Sequence, residues 1–346
     1  MATLATNVVT LADVAKRLDP DGSVAAVVEL LSQTNEILAD AHFQEGNLPT
    51  GHRVTMRTGL PTVAWRLLNQ GVTPSKSTTA QVDEQCGMLE AWSEVDKDLA
   101  ELNGNTNAFR LSEAAAYLES MNIEMASTLF YGNTAVDPEE FLGLAPRYSS
   151  TGAANAQNLV SGGAAGGQTD CTSIWLVVWG PNTCWMTYPK GSKAGITHEN
   201  LGLQTIETAA GLGAANGRLR AYQDHWQWKT GLVLKDWRYV VRIHSIDVGL
   251  LTTETTAADL VKLMIKAMHR VPNLRMGRPV FYCNRTVAQM LDIQSIGKNA
   301  NTGGTVTVIN NVQFTQSGDY GGFVNTMRGI PIRTCDALLE TETSLN

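Results

Sequence analysis

Apolar residues recur at helical spacing in several stretches of the chain and at strand spacing in others. Leu11, Val14, Ala15 and Leu18 follow Thr10, a predicted N-cap, and Val24, Val27, Val28, Leu31 and Leu38 form a second stripe beyond the break at Asp19-Pro20-Asp21-Gly22. The strongest helix signal runs from Ser112 to Tyr131, which holds neither Gly nor Pro. Leu111, Ala114, Leu118, Met121, Met125 and Leu129 recur there at three- and four-residue steps, widened by Ala115, Ile123 and Ala126. One side of this helix is therefore expected to be covered. Ser112 or Asn107 is its expected cap and Gly132-Asn133 its end. Thr256 is the predicted cap of a helix striped by Leu260, Leu263, Met264, Ala267 and Met268, and Asn284 that of another from Arg285 to Ile293.

Strand signals lie between the helices. Ser173–Trp179 and Cys184–Tyr188, separated by Gly180-Pro-Asn-Thr183, read as a hairpin whose first limb, apolar on both faces, belongs in the middle of a sheet. Residues alternate over Arg220–Trp228, extended character resumes over Trp237–Ile243, Pro279–Cys283 reads as a buried strand, and further strands are expected around Val306–Ile309, Val312–Thr315 and Gly329–Cys335. Leu201–Gly217, interrupted by glycine, is expected to be irregular. Helices and strands mix without a repeating strand–helix–strand rhythm, so the predicted class is α+β.

One stretch belongs to neither pattern. His52 to Asp96 reads as two extended limbs, His52–Arg66 and Lys76–Asp96, joined by Leu67-Leu-Asn-Gln-Gly-Val-Thr-Pro74. Gly59-Leu60-Pro61 and Gly71 rule out one continuous helix, and the limbs lack the dense alternation of a core hairpin. His52, Arg53, Arg57 and Arg66 lie on the outgoing limb, whereas Asp83, Glu84, Glu90, Glu94 and Asp96 lie on the return. An arm with so little core of its own needs something outside itself, and a second copy of the chain is the expected support.

Composition narrows the function classes without choosing one. The 346 residues carry a net charge of −7, with no basic run of the kind a nucleic-acid reader shows. An acidic shell can still enclose nucleic acid without gripping it, because weak phosphate contact lets the polymer slide. No apolar run approaches the roughly 20 residues of a membrane span, and the first residues predict no secretory leader. The five cysteines are scattered, which favours reduced, packed thiols over a disulfide framework.

Candidate chemistry mostly dissolves on inspection. Gly211-Leu-Gly213-Ala-Ala-Asn-Gly217 is one residue off a dinucleotide fingerprint and follows no apolar strand. The Gly162–Gly167 run lacks the Lys-Ser/Thr of a phosphate loop. The six histidines show no ligand-spaced pair, and His198-Glu199 and Asp224-His225 are neighbours whose side chains point apart on a strand. No Gly-x-Ser-x-Gly elbow is present, and Cys283 sits on an apolar strand. Six of the eight tryptophans fall between Trp175 and Trp237, where filling a core or subunit interface outweighs stacking on bases or sugars. No catalytic residue, cofactor site or metal site is assigned.

The order of segments carries a resemblance. Leu60-Pro-Thr-Val-Ala-Trp-Arg-Leu-Leu-Asn-Gln-Gly71 with Gln81-Val-Asp-Glu84, then Asp137-Pro-Glu-Glu-Phe-Leu-Gly-Leu144 with Arg147-Tyr148, then Gly329-Ile-Pro-Ile332 with Asp336, together resemble major capsid proteins of tailed bacteriophages of the Hong Kong 97 type. The resemblance spans nearly the whole chain, and it is the order of these blocks that makes it specific. It implies an α+β capsid fold with an N-terminal arm (1–50), an extended loop (51–98), a peripheral domain with a spine helix (99–145) and a loop-rich region (146–217). Peripheral strands (218–256), an axial domain (257–335) and a tail (336–346) complete the expected layout.

The function so implied is that of a structural subunit, not an enzyme, which self-assembles through hexamers and pentamers into an icosahedral shell around double-stranded DNA. Its expected partners are further copies of itself, a separate scaffolding protein, a portal and, in some relatives, a decoration protein; no membrane is involved. Assembly in the host cytoplasm and residence in the virion follow from the same reading. Intersubunit contacts are expected from Arg53, Arg57, Trp65, Arg66, Lys76, Asp83, Glu84, Glu90, Trp92 and Asp96, and Lys76, near the tip, is an ordinary solvated lysine before it is a cross-linking one. The competing readings are an encapsulin-type compartment around an enzyme cargo, and a Trp-rich ligand-binding protein or hydrolase.

Overall fold

The computed structural model describes residues 33–101, 106–207, 217–253, 257–300, 312–317 and 322–345. The helix expected at Leu11–Leu18, most of the one expected from Val24 to Leu38, the Thr256 cap and the strand at Val306–Ile309 lie outside the described residues; Leu38 itself falls in a single helical turn, Ile37–Asp40. In chain order the strands are β1 (Phe43–Glu45), β2 (Gly51–Gly59), β3 (Thr78–Gln85), β4 (Gly87–Asp96), β5 (Leu159–Ser161), β6 (Cys171–Trp179) and β7 (Cys184–Tyr188). They continue as β8 (Ile196–Glu207), β9 (Arg218–Leu234), β10 (Val240–Asp247), β11 (Arg278–Cys283), β12 (Val312–Ser317), β13 (Gly322–Met327) and β14 (Ile330–Thr334). Among the described residues the three long helices are α1 (Thr106–Tyr131), α2 (Leu260–Arg270) and α3 (Arg285–Ala300). The chain divides into two compact units, one of 1–33, 88–125 and 195–229, the other of 34–87, 126–194 and 230–346.

In the larger unit every residue of β6 is buried, as expected of a strand apolar on both faces. Its neighbours are β10 and β11, both antiparallel. The expected hairpin with β7 does not form: β6 and β7 meet at one parallel pair, Trp179 and Cys184, and β7 runs antiparallel to β9 instead. A tight turn in sequence does not by itself dictate pairing when both flanking strands find better partners elsewhere. One face of β6 (Ile174, Leu176, Val178) packs with Val241 and Ile243 of β10 and with α2 and α3, where Leu260, Leu263, Met264, Val287 and Met290 form the main core. The Asn284 cap is as expected, its Oδ1 accepting from the Val287 N–H at 2.8 Å. Asp259 caps α2, accepting from Lys262.

On the opposite face Trp175 is fully buried and packs with Phe130 and Tyr148. Arg242 lies 5.2 Å from the Trp175 ring and pairs with Glu342 at 2.9 Å, both side chains 6% exposed. Two strand positions on, burial and the Arg242 charge press the His244 imidazole down to about 4, against the smaller opposing pull of Glu342. The native fold therefore excludes a proton that the unfolded chain accepts near pH 6.5. The His244 contribution to subunit stability should be flat above that pH and lost as pH drops from about 6.5 to about 4; His244→Asn, followed by urea midpoints across that range, should reduce the slope.

In the smaller unit β9 pairs antiparallel with β8 from Ile196/Trp228 to Glu207/Arg218, and β4 is its other neighbour. Residues 196–207 are thus a strand, with a register shift between Asn200 and Gly202, which corrects the expectation of irregular structure over 201–207; 208–216 lie outside the described residues. Along α1, Met121 and Met125 are buried, but Leu111 and Leu118 are 72% and 40% exposed. The sequence stripe reports which face is apolar, not how far its cover extends. Phe109, packed with Val95 and Ala100, holds the first turns from a different side.

Candidate assembly interface

β2 and β3 pair with each other alone, in register from Gly51/Gln85 to Arg57/Thr79. The hairpin's root is fixed by close backbone approach. A side chain on Gly51 would lie 2.0 Å from the Glu84 carbonyl oxygen, and one on Gly231 would lie 2.5 Å from that of Gln85. Val54 packs with Trp185 and Val233, and the His52 ring meets Trp185 edge-on at 5.4 Å.

Glu84 points inward and accepts two bonds from Arg147, at 2.6 and 2.7 Å, with the two side chains 8% and 12% exposed. Arg147 also donates to the Gly143, Leu142 and Leu232 carbonyls, so both ions are satisfied where water is scarce. Higher on the stem Arg53 and Asp83 make a second bidentate pair, at 2.6 and 2.7 Å, open to solvent. The guanidinium bond holds the Asp83 carboxyl below the usual carboxylate range. Such an exposed pair is screened by water and salt, so Arg53→Ala should leave the melting temperature of the subunit unchanged within error.

Beyond Gly59 the pairing ends. Residues 60–77 are all exposed: Trp65 completely, with Leu60 80%, Val63 88% and Leu68 88% exposed. The loop keeps its shape through its own bonds, Ser75 Oγ to the Thr62 carbonyl at 2.9 Å and Gln70 N–H to the Leu67 carbonyl at 3.2 Å, with Asn69 in the left-handed region at φ 67°. An apolar cluster of this size in full contact with water marks a binding surface.

The ten residues expected at subunit contacts thus fall into separate places. Trp65, Arg66 and Lys76 lie on the exposed tip, Arg57 at the top of the stem, and Arg53 and Asp83 pair with each other on it. Glu84 is committed to Arg147. Glu90 and Trp92 belong to β4, where Trp92 stacks on His225 of β9 at 4.2 Å and Gln227 donates to Glu90. Asp96 caps the turn that follows, accepting from the Asp98 N–H. The return limb is therefore two strands with a break at Cys86, not one.

A further cluster escaped sequence reading. Asp224 accepts from Arg110 at 2.7 Å and lies 3.0 Å from His198, whose ring stacks on Trp226, itself stacked on Tyr117. Each sequence neighbour does point away, but antiparallel pairing of β8 and β9 brings His198 across to Asp224. Trp175, Trp179, Trp185, Trp226 and Trp228 are buried, as core filling requires. The Cys184, Cys283 and Cys335 thiols are pushed up to about 12 by burial, which suits packed, unreactive groups. Among the described residues no group of three or more His, Cys, Asp or Glu is placed to hold a metal ion, and no helix is long and apolar enough to cross a membrane.

A mixed sheet, a long helix and a hairpin projecting a wet apolar tip define a shell subunit of the Hong Kong 97-like fold, the one expected from segment order. The chain belongs to the family described as Major capsid protein GP7, whose model it matches over residues 19–346, and is accordingly a structural subunit of a phage capsid, located in the virion. It is similar to a chain in the near-atomic cryo-EM structure of bacteriophage Epsilon15, with 32% identity and a TM-score of 0.77, covering 100% of this chain and 99% of that one. Weaker likenesses, without bearing on the argument, are to the capsid of a native GTA particle (10% identity, TM-score 0.44, 70% of this chain and 99% of that chain) and to the capsid of Myoviridae phage XM1 (11%, 0.41, 64% and 96%). No match was found among curated proteins.

Proposed function

We propose that this subunit builds a closed icosahedral shell around double-stranded DNA, as hexamers and pentamers tied together by the extended loop at 51–98 and the N-terminal arm at 1–50. The observation that carries this reading is the tip at 60–77, whose apolar surface is exposed and, among the described residues, without a partner. Burying such side chains yields about 1.5–3 kcal/mol apiece, more than exposed ion pairs supply. A contact between a tip and a different patch of the next copy is heterologous, and heterologous contacts close into rings when the rotation allows.

In this arrangement α1 is the spine of a peripheral domain at 99–145, joined by the strands of 218–256, and 257–335 form the axial domain around each capsomer's centre. The region 146–217 contributes β6 and β7 to the larger unit's sheet, and 336–346 is the tail. The net charge of −7 suits packaged DNA touched weakly and without sequence preference. A separate scaffolding protein guides closure in the host cytoplasm, a portal occupies one vertex, and decoration proteins find room on the outside. Electron microscopy of virions or co-expressed shells should show closed angular particles with six- and five-fold capsomers and nuclease-protected double-stranded DNA in the filled ones. Open sheets or small rings under all assembly conditions would sink the proposal.

A further inference from the structure

We infer that the exposed face of α2 is the surface that meets packaged double-stranded DNA, with Lys262, Lys266 and Arg270, and Arg275 just beyond, against its phosphates. This inference rests on the proposed shell around DNA and adds to it the place of contact. The chain as a whole is acidic, yet between Asp259 and Asp292 it holds Lys262, Lys266, Arg270, Arg275, Arg278 and Arg285 and no carboxylate. Arg278 and Arg285 are answered by Asp40 and Asp336, and Lys262 reaches back to Asp259 with its own side chain 74% exposed. Lys266, Arg270 and Arg275 are exposed and, among the described residues, have no carboxylate partner. Four-residue steps put Lys262, Lys266 and Arg270 on one face of α2, roughly 6 Å apart along its axis.

Helix stability does not explain these charges. A cation favours the carbonyl end of a helix, which accounts for Arg270, but Lys262 lies in the first turn, where the dipole opposes it. Nor does the face suit a protein partner. Ile265 and Met268 pack against the core, so α2 exposes no large apolar side chain to form the dry centre of a protein contact. A contact with nucleic acid is polar and positively charged instead. By contrast, Arg57, Arg66 and Lys76 are spaced around the exposed Trp65, Leu67 and Leu68. A few phosphate contacts per subunit are too weak to grip DNA alone; repeated over a shell, they hold it while letting it slide during filling.

Two measurements test this. Filter binding of random-sequence duplex to the unassembled subunit, below about 100 mM salt, should give a log–log salt slope of about −3, from about 0.9 per phosphate neutralised. Lys266→Gln/Arg270→Gln should reduce the magnitude of that slope by about 2, whereas Arg57→Gln/Arg66→Gln should leave it nearly unchanged. An unchanged slope in the first variant, or an equal fall in both, overturns the assignment. In mature particles, acetylation of Lys266 should be several-fold slower while DNA fills them than after the DNA has been released. Equal rates overturn it as well: fast in both means that the face meets only water, and slow in both means that protein covers it. The shell reading fails separately, if assembled particles contain no nuclease-protected double-stranded DNA.

Discussion

Trp65→Ala should leave the melting curve of the isolated subunit unchanged and largely abolish shell formation. The side chain is completely exposed, so its removal opens no cavity and takes no buried surface from the fold. At the centre of an apolar interface, by contrast, truncating a tryptophan costs roughly 2–4 kcal/mol. Two kcal/mol at one contact is about a thirtyfold loss in affinity, and a closed shell repeats the contact at every subunit. Light scattering under assembly conditions, beside calorimetry of the unassembled subunit, checks both halves. An equal fall in subunit stability would show that Trp65 serves the fold, and unimpaired scattering would show that the tip is not the docking surface. Leu68→Ala should behave in the same way with a smaller effect.

The opposite pattern is expected at the hairpin's root. Glu84→Gln leaves the Arg147 guanidinium nearly buried without its counter-charge, and breaking such a pair from one side costs about 3–5 kcal/mol. The urea midpoint of the isolated subunit should move accordingly, and assembly should fail because subunits unfold or the stem loses its seat beside β7 and β9. Replacing both partners together, Glu84→Met with Arg147→Met, should recover much of the lost stability, since the desolvation cost of the ions disappears with them. A Glu84→Gln shift of less than about 1 kcal/mol would mean that water reaches the pair. Comparing Trp65→Ala with Glu84→Gln thus separates what the hairpin does between subunits from what holds it on its own.

The difference between these positions was only partly legible in the sequence. Arg53, Asp83 and Glu84 all read as charges on an unsupported arm, yet Asp83 faces water and Glu84, the next residue, faces inward. Strand alternation predicts that neighbours face opposite ways, but choosing which one is buried requires the position of Arg147, 63 residues away. The same limit explains β4. Its residues continue the arm in sequence, and only pairing with β9 draws them into a sheet, where Val95 and Ser93 become buried. His198 and Asp224 show it again, since the register of β8 and β9 sets them diagonally across from each other and adjacency in sequence does not.

The sequence by itself determined the mixed helix and strand class, the central place of β6, the burial of most tryptophans and the exposure of an apolar, acid-free tip between Arg57 and Ser77. These are properties of local composition and period, which fix the polarity of each face wherever the element is later placed. Tertiary structure alone decided that β7 pairs with β9 rather than folding back on β6, that Leu111 and Leu118 remain uncovered, and that the extended arm is rooted at Glu84 and Arg147 with β4 as part of a sheet. The reason is physical: backbone N–H and C=O groups are the same in every strand, so which edges meet depends on how whole elements pack, and that is not written in any single stretch of the chain.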